Sequence, residues 1–312
     1  MPNYLCDLHM HTTRSDGSDT PKELIDNAAS LDMAVIAITD HDLRPPETVP
    51  TDQGDMGIIE YARSKGMHLL RGIEISCETD NEDTHIVGFG CDWSAPYFAE
   101  HEASVASSKV ESYKKLVEAL NAGGIDVTWA GVLENNGFPV PEAAIQKKMI
   151  FELVARKGYV KSWSEAKRMI KNTPLYQINR TKPTAASAIR AIRETGGISI
   201  LAHPYLIADT VLHDGREISR DRFIRLLIAE GLNGIEANYT YDKTSYGGSL
   251  TKEQISREVA EKYGPLVELI SGGSDYHADH KKGVTNARQI GEAGIDADYF
   301  RTNDGFKKII GR

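Results

Sequence analysis

Residues 7–17 read DLHMHTTRSDG, and residues 38–42 read ITDHD. Both polar clusters follow short apolar runs, as the ends of buried strands do. Side chains alternate along an extended segment, so His9 and His11 point to the same face. Asp16 follows on the connecting loop before Gly17. This pattern predicts that histidines and carboxylates are gathered at the ends of strands.

Apolar runs of the same kind recur along the chain, separated by stretches with apolar residues at helical spacing. One such stretch is TPKELIDNAASL, where Thr20 is a predicted N-cap, followed by Pro21 and Glu23. Strands separated by helices predict a parallel sheet of βα units, here a barrel one unit short of eight. The predicted strands are Tyr4–Leu8, Ala34–Thr39, His68–Ile73, His85–Gly88, Ile198–Ala202, Gly234–Ala237 and Val267–Ser271.

The spacing breaks once, between the fourth and fifth predicted strands. Helical patterns occur there near 100–122, 142–157 and 163–172, the last beginning at Ser162-x-x-Glu165, which is typical of a capping box. We therefore predict a barrel formed by 1–92 and 184–312. Residues 93–183 are predicted to form an inserted helical subdomain over the mouth of the barrel.

Composition narrows the class of protein. The chain has 312 residues, of which 40% are hydrophobic and 26% charged, with a net charge of −9. This acidity disfavours a surface for polymeric nucleic acid, which needs clustered Lys and Arg. Three cysteines without a C-x-x-C pair disfavour a disulfide framework or a thiolate zinc site. No apolar run reaches 18 residues, and the N-terminus does not resemble a secretory signal, so we predict a cytoplasmic protein without membrane contact.

Active sites of βα barrels form at the C-terminal ends of the strands, where most of the chemically active residues of this chain fall. Six of the ten histidines lie at predicted strand ends or just beyond, near acidic residues. Mixed imidazole and carboxylate ligands suit Zn²⁺, Mn²⁺ or Fe²⁺. The candidate residues are His9, His11, Asp16, Asp40, His41, Glu74, His85, His203, Asp275 and His277.

These residues stand in motifs that resemble those of the PHP (polymerase and histidinol phosphatase) family, more narrowly its stand-alone bacterial phosphoesterases. The resemblance covers about 1–92 and 184–290, with the helical insertion in the expected place. It implies a distorted (β/α)7 barrel and up to three divalent ions. The motifs are His9-x-His11, Ser15-Asp16-Gly17, Thr39-Asp40-His41, Gly72-Ile73-Glu74, His85-Ile86-Val87-Gly88, Ala202-His203-Pro204 and Ser274-Asp275-x-His277.

The resemblance also implies how the ligands are shared among the ions. Asp40 is expected to orient a histidine ligand through its carboxylate. The implied sets are His9, His11, Glu74 and Asp275 for the first ion, Glu74, His85 and His203 for the second, and Asp16, His41 and His277 for the third.

The charge of such a site indicates the class of substrate. Three divalent ions would carry about six positive charges, of which three carboxylates and a bridging hydroxide would cancel about four. The surplus suits a phosphate dianion better than a neutral amide. We therefore predict hydrolysis of a phosphate ester by direct attack of a metal-bridging hydroxide, without a covalent enzyme intermediate. His203 and Asp16 are the candidates for the acid that protonates the leaving group.

Inside the insertion the chain departs from its relatives, which often carry an Arg-x-His pair there. The corresponding stretch IQKKMIFELV has Lys147 or Lys148 at the arginine position and Met149 at the histidine position. A lysine meets a phosphate as a point charge and lacks the bidentate fork of arginine. Arg180, in INRTKPT, is the best candidate for a further phosphate contact.

The leading prediction is a phosphatase for a small monoester, a nucleoside or sugar phosphate such as AMP. A hydrolase for a small cyclic phosphodiester is the next alternative, because a trinuclear site can present hydroxide to either ester. Two other classes stay open. An amidohydrolase also uses H-x-H but would not require both Asp16 and His277, and a non-catalytic module would bind metal and nucleotide without cleaving them. The oligomeric state is not determined by these patterns.

Overall fold

The computed structural model of the chain describes residues 2–78, 84–135 and 138–310. The chain divides into two compact units. The barrel unit comprises Met1–Ala99 and Pro183–Arg312, and the helical unit comprises Glu100–Lys182. The boundaries predicted from the sequence were 92/93 and 183/184. That the helical unit covers the mouth of the barrel stays a prediction.

A seven-stranded sheet forms the centre of the barrel unit, in the order of the chain. The backbone N–H of Leu8 donates to the carbonyl of Gly272 at 3.2 Å, and Met10 forms a parallel bridge with Tyr276. These contacts bring the first strand beside the last, so the predicted distorted (β/α)7 barrel is confirmed. The strands are β1 Cys6–Asp7, β2 Val35–Ile38, β3 His68–Cys77, β4 Thr84–Phe89, β5 Ile198–Leu201, β6 Gly234–Asn238 and β7 Leu269–Gly272.

One strand runs against the others, so the prediction of an all-parallel sheet is wrong for β4. This strand is antiparallel to β3, with Ser76 opposite His85, and antiparallel to β5, with Ile86 opposite Leu201. The physical reason is the length of the connection. Only residues 78–83 lie between β3 and β4, whereas a crossover to a parallel strand needs about 12 residues.

Helices surround the sheet and also build the helical unit. The predicted N-cap Thr20 is confirmed in the first helix: the Glu23 amide donates to Thr20 Oγ1 at 3.2 Å, and the Thr20 amide donates to Glu23 Oε2 at 2.7 Å. The capping box predicted at Ser162 forms only in part, because the Glu165 amide donates to Ser162 Oγ at 3.2 Å but Glu165 Oε2 accepts from the Lys161 amide at 2.9 Å. The helices are α1 Pro21–Ser30, α2 Ile58–Ser64, α3 Pro96–Ala122, α4 Trp129–Leu133, α5 Lys147–Arg156, α6 Trp163–Asn172, α7 Ala185–Glu194, α8 Arg220–Ala229, α9 Lys252–Tyr263, α10 Ala297–Thr302 and α11 Asp304–Lys307.

Shorter elements complete the described structure. Three two-stranded antiparallel ribbons pair Thr48–Thr51 with Gly54–Gly57, Glu134–Asn135 with Phe138–Pro139, and Thr210–His213 with Arg216–Ser219. The 3₁₀ turns are Glu142–Ala144, Pro174–Tyr176, Pro204–Leu206, Tyr241–Lys243, Gly264–Leu266 and Asp279–Lys282. Within the described ranges, no helix combines the length and the apolar character needed to cross a bilayer.

The interior of the barrel is apolar below the polar ends of its strands. Leu70, Val87 and Ile200 pack there in one buried cluster. Leu70 and Glu74 are four residues apart on β3, so their side chains share a face. The inner face of β3 is thus apolar at Leu70 and polar at Glu74. The packed apolar cluster holds in place the strands that carry the polar site.

Asp7 joins β1 to the loop after β7. This fully buried carboxylate accepts from the amides of Ser274 at 2.9 Å and Gly291 at 2.8 Å. It also accepts from Ser274 Oγ at 2.5 Å and from the His9 amide at 3.4 Å. Four donors converge on this carboxylate, two residues before His9, so Asp7 positions the segment that carries His9.

Asp7→Asn is expected to lower the free energy of unfolding by about 2–4 kcal/mol, because its amide nitrogen would face a buried N–H donor. Urea unfolding of the metal-free protein measures this loss. The exposed turn residue Asp52 supplies the control, since Asp52→Asn should leave the midpoint unchanged. Equal stability of the two variants would contradict the anchoring role of Asp7.

Candidate metal centre

The polar ends of the strands meet at one place in the barrel unit. All nine predicted metal ligands lie there, and His9, His11 and Glu74 are at most 1% exposed. Three overlapping groups of these residues bring ligand atoms within 4.8 Å of one another: His11, Asp16, His41 and His277; His9, His11 and Glu74; and His41, Glu74 and His85.

Two of the ligands follow strands through sharp turns of the backbone. His203 follows β5 with φ 31°, and Asp275 follows β7 with φ 53°, a left-handed region that residues other than glycine rarely adopt. Such strain is commonly found at functional sites. Gly273 allows the end of β7 to approach, because a Cβ there would lie 2.3 Å from His9 Cβ.

Glu74 lies at the centre of the cluster and presents its two oxygens to different histidines. Its Oε2 lies 3.2 Å from both His9 Nε2 and His11 Nε2, and 3.0 Å from His41 Nδ1. Its Oε1 lies 2.8 Å from His85 Nδ1 and 3.1 Å from His203 Nε2. This arrangement suits a carboxylate that bridges two ions.

Asp275 completes the group around His9 and His11. Its Oδ1 lies 3.1 Å from His11 Nε2 and 3.7 Å from His9 Nε2. A tetrahedral ion with bonds of about 2.0–2.1 Å needs ligand atoms about 3.4 Å apart, so these spacings fit. The other oxygen accepts from Tyr239 Oη at 2.7 Å and is paired with Arg288, which leaves Oδ1 directed at the histidines.

Asp16 and His277 form the opposite side of the cluster. Asp16 Oδ1 lies 3.0 Å from His277 Nε2, 3.9 Å from His11 Nδ1 and 4.0 Å from His41 Nε2. His11 and His41 therefore each face two groups of ligand atoms. The family resemblance implied a simpler division, with His11 only in the first set and His41 only in the third.

Several buried polar atoms in this cluster lack a hydrogen-bond partner among the residues that the structure describes. They are His9 Nε2, both ring nitrogens of His11, His41 Nδ1 and Glu74 Oε2. Buried polar groups are normally satisfied, so each exception requires an explanation. Lone pairs that converge without partners are the chemistry of a cation site, and imidazole with carboxylate suits a transition metal. The residues present therefore fit divalent ions.

The electrostatics of the cluster agree with this interpretation. Burial disfavours charge, yet the facing histidines hold the pKa of Glu74 and of Asp275 well below the ordinary value. Burial likewise lowers the pKa of His11, but Asp275 and Glu74 raise it to about 9. Burial lowers the pKa of His41 to about 4. The carboxylates are thus anionic and favour positive charge between them.

Asp40 contacts a loop in place of the histidine that we predicted. It accepts from the Thr12 amide at 2.8 Å, from Thr12 Oγ1 at 2.7 Å and from Ser15 Oγ at 2.6 Å. The Asp40 carboxylate therefore fixes the loop that carries Asp16. None of these three hydrogen bonds involves an imidazole. The expected orientation of a histidine by Asp40 is corrected accordingly.

The sequence patterns did not single out Glu236 or Arg288. Glu236 Oε1 lies 3.2 Å from His9 Nδ1, and Glu236 Oε2 accepts from the His203 amide at 2.8 Å. The available signal was an acidic residue inside the apolar run Gly234–Ala237. No comparable signal marks Arg288, which reaches Asp275 from a loop 13 residues downstream.

The predicted substrate contacts lie in the helical unit and differ in their surroundings. Burial and the charge of Arg180 lower the pKa of both Lys147 and Lys109. Arg180 donates to Tyr113 Oη at 3.1 Å. Across the described residues, no ion pair joins a carboxylate to Lys109, Lys147 or Arg180. Lys148, in contrast, is exposed and lies 3.5 Å from Glu152 Oε1.

A distorted seven-stranded barrel with clustered histidines and carboxylates at its strand ends defines a metal-dependent hydrolase class. Within that class the family model described as the PHP domain matches residues 7–170. The chain belongs to the PHP domain family, so the resemblance drawn from its motifs is confirmed.

The curated relatives of this chain are named as hydrolases of phosphoric esters. A 3',5'-nucleoside bisphosphate phosphatase of Chromobacterium violaceum is 28% identical over 284 residues, which is 89% of this chain and 88% of the relative. A phosphoribosyl 1,2-cyclic phosphate 1,2-diphosphodiesterase of Eggerthella lenta is 26% identical over 87% of this chain and 93% of its own. A 5'-3' exoribonuclease of Salmonella typhimurium is 28% identical over 65% of this chain and 67% of its own.

Two solved structures agree with the fold, and the first of them also agrees with the enzyme class. A proposed metal-dependent phosphoesterase from Bifidobacterium adolescentis has a TM-score of 0.66 and 25% identity, covering 97% of this chain and 96% of that one. A protein of Chromobacterium violaceum described as an amidohydrolase, with bound sulfate and no metal, has a TM-score of 0.58 and 26% identity, covering 87% of both chains. The predicted class, a metal-dependent phosphoric ester hydrolase, is confirmed.

Proposed function

We propose that the chain is a phosphatase for a small phosphate monoester, a nucleoside or sugar phosphate, and that it uses up to three divalent ions such as Mn²⁺, Zn²⁺ or Fe²⁺. One observation carries this proposal. Buried imidazole nitrogens without hydrogen-bond partners converge on Glu74, which offers a separate oxygen to each side of the cluster. A dense site of cations suits the compact charge of a phosphate group.

The bound ions would supply Lewis acidity that activates water and neutralises the charge of the phosphate. His9, His11 and Glu74 would hold these ions away from bulk water, since all three side chains are buried. Asp16 is poorly suited to protonate a leaving group. Although burial alone would raise it, the hydrogen bond and charge of His277 hold the pKa of Asp16 well below its usual range. We therefore favour His203 as the candidate acid.

The name of the Chromobacterium phosphatase supports a nucleotide substrate. The cationic side chains of the helical unit support a substrate that carries negative charge. Lys109, Lys147 and Arg180 lie together without a carboxylate partner among the described residues. We retain Lys147 and Arg180 as predicted phosphate contacts. Lys148 stays a predicted contact but is the less favoured of the two lysines, because Glu152 lies near its ammonium group and the Trp163 ring centroid is 5.1 Å away.

Two alternatives have support from the relatives. The name of the Eggerthella enzyme favours a small cyclic phosphodiester. The name of the Salmonella exoribonuclease makes polymeric RNA a further alternative substrate. The net charge of −9 in this chain disfavours binding of such a long polyanion. The amidohydrolase description of one structural neighbour is outweighed by the family and by the three named phosphoesterases.

Metal content and phosphate release from the same preparation test the proposal. The panel contains nucleoside monophosphates and bisphosphates, sugar phosphates, cyclic phosphates and short RNA, each with added Mn²⁺. Release from a monoester by protein that holds two or three ions per chain is the expected result. If the protein cleaves only cyclic esters or only RNA, that ester replaces the monoester as the proposed substrate. If it cleaves no member of the panel, the proposed function is rejected.

Lys147→Ala is expected to raise KM about tenfold and change kcat little, because a lost point-charge contact is worth about 1.4 kcal/mol in binding. Steady-state kinetics on the preferred monoester measure both constants. Lys148→Ala is the matched control on the same helix turn and should leave KM unchanged. Equal KM values for the two variants would remove Lys147 from the substrate contacts.

A further inference from the structure

A buried carboxylate lies beside the metal centre without being one of its predicted ligands. Glu236, on β6, is 2% exposed. Its neighbours Ile235 and Ala237 pack in the cluster outside the sheet, so alternation along the strand turns Glu236 toward the inside. Burial of a carboxylate is unfavourable unless hydrogen-bond donors satisfy it.

The two oxygens of Glu236 meet two different candidate ligands. Oε1 lies 3.2 Å from His9 Nδ1, and Oε2 accepts from the His203 backbone amide at 2.8 Å. These histidines face opposite oxygens of Glu74: His9 Nε2 lies 3.2 Å from Oε2, and His203 Nε2 lies 3.1 Å from Oε1. One carboxylate thus contacts both sides of the cluster.

The contact with His9 determines which ring nitrogen is available to an ion. Where Nδ1 donates to Glu236 Oε1, the hydrogen lies on Nδ1 and Nε2 keeps its lone pair. Within the described part of the chain, Nε2 has no hydrogen-bond partner, and it lies 3.2 Å from Glu74 Oε2. Glu236 therefore selects the tautomer and the ring orientation that ion binding requires.

The contact with His203 holds a strained turn. His203 adopts φ 31° and ψ 58°, and residues in this region persist only when their surroundings hold them. The hydrogen bond to Glu236 fixes the peptide N–H at that turn. Relaxation of the turn would move the imidazole away from Glu74, so the same carboxylate also places the second histidine.

We propose that Glu236 is a positioning residue that ties His9 and His203 together, so that two ion sites form or weaken as a pair. The inference rests on the proposed metal binding of the cluster but not on any substrate. Its distinguishing consequence is the loss of affinity at two sites through one residue that ligates neither.

Glu236→Gln tests this link with minimal change of volume. A glutamine offers one acceptor, so its NH₂ group must face either His9 Nδ1 or the His203 amide. Titration of the metal-free protein with Mn²⁺ should show a 10–100-fold higher Kd for two equivalents. Glu292→Gln is the matched control, since Glu292 pairs with Lys243 at 2.7 Å elsewhere in the barrel unit. Wild-type affinity at every site, or a loss confined to one equivalent, would overturn the proposal.

A second measurement needs no variant, so it tests the proposal even if Glu236→Gln fails to fold. In zinc-loaded wild-type protein with ¹⁵N-labelled histidine, His9 should carry hydrogen on Nδ1 and bind zinc through Nε2. The opposite assignment would overturn the proposal. Both measurements are independent of phosphate release, so a protein that meets them but hydrolyses no phosphate ester would reject only the proposed function.

Discussion

Replacement of Glu74 by glutamine should abolish most ion binding and lower kcat/KM at least about 10³-fold, equivalent to about 4 kcal/mol of transition-state stabilisation. Glu74 lies within 3.2 Å of five imidazole rings and uses both oxygens. Glutamine keeps the shape but removes the charge and replaces one acceptor with a donor.

The measurement combines elemental analysis with phosphate release on the same Glu74→Gln preparation. The expected result is a loss of at least two metal equivalents relative to wild type, with activity near background. Glu60→Gln, an exposed change on α2, controls for the substitution itself. Full metal content together with wild-type turnover would exclude the bridging role of Glu74.

Asp16→Ala and His277→Ala should each remove one metal equivalent and reduce turnover about 10²–10³-fold, because they form one side of the cluster. Asp16 Oδ1 lies 3.0 Å from His277 Nε2. Asp16 also has 59% of its side chain exposed, so its truncation should leave the melting temperature nearly unchanged. Loss of activity without loss of stability separates a site residue from a structural one.

The two variants also control for each other. If Asp16 and His277 serve the same ion, the double variant should lose no more metal than either single one, since residues that act as a unit are not additive. Asp52→Ala provides an exposed acidic control. Wild-type turnover in both single variants would remove the third ion from the proposed mechanism.

The barrel and the placement of the site residues were predictable because they follow from local patterns. Short apolar runs marked all seven strands, and a polar residue directly after such a run must emerge at the strand end. Thr20 and Ser162 marked helix starts through a mechanism that depends only on residues three positions away. The structure brings the nine predicted ligands together, while their binding of ions stays a prediction.

The features that the sequence patterns missed depend on tertiary geometry. An apolar run specifies a buried strand but not its direction, so only the short connection 78–83 indicated the reversal of β4. The sequence pattern placed Glu236 in an apolar strand and gave it no role. In the folded chain its side chain points inward and contacts His9 and the His203 amide. Lys147 and Lys148 are adjacent, and only their folded surroundings distinguish them, with Arg180 near Lys147 and Glu152 near Lys148.

The reversal of β4 also has a consequence for how the chain folds. The β3–β4 ribbon pairs Cys77 with Thr84, whereas β4 and β5 are joined only after the intervening helical unit. Pairings between residues close in sequence form within microseconds, while distant ones must first close a long loop. We therefore expect this ribbon to form early and to serve as a template for the remaining strands. Glu74 and His85 would then be neighbours before the rest of the site exists.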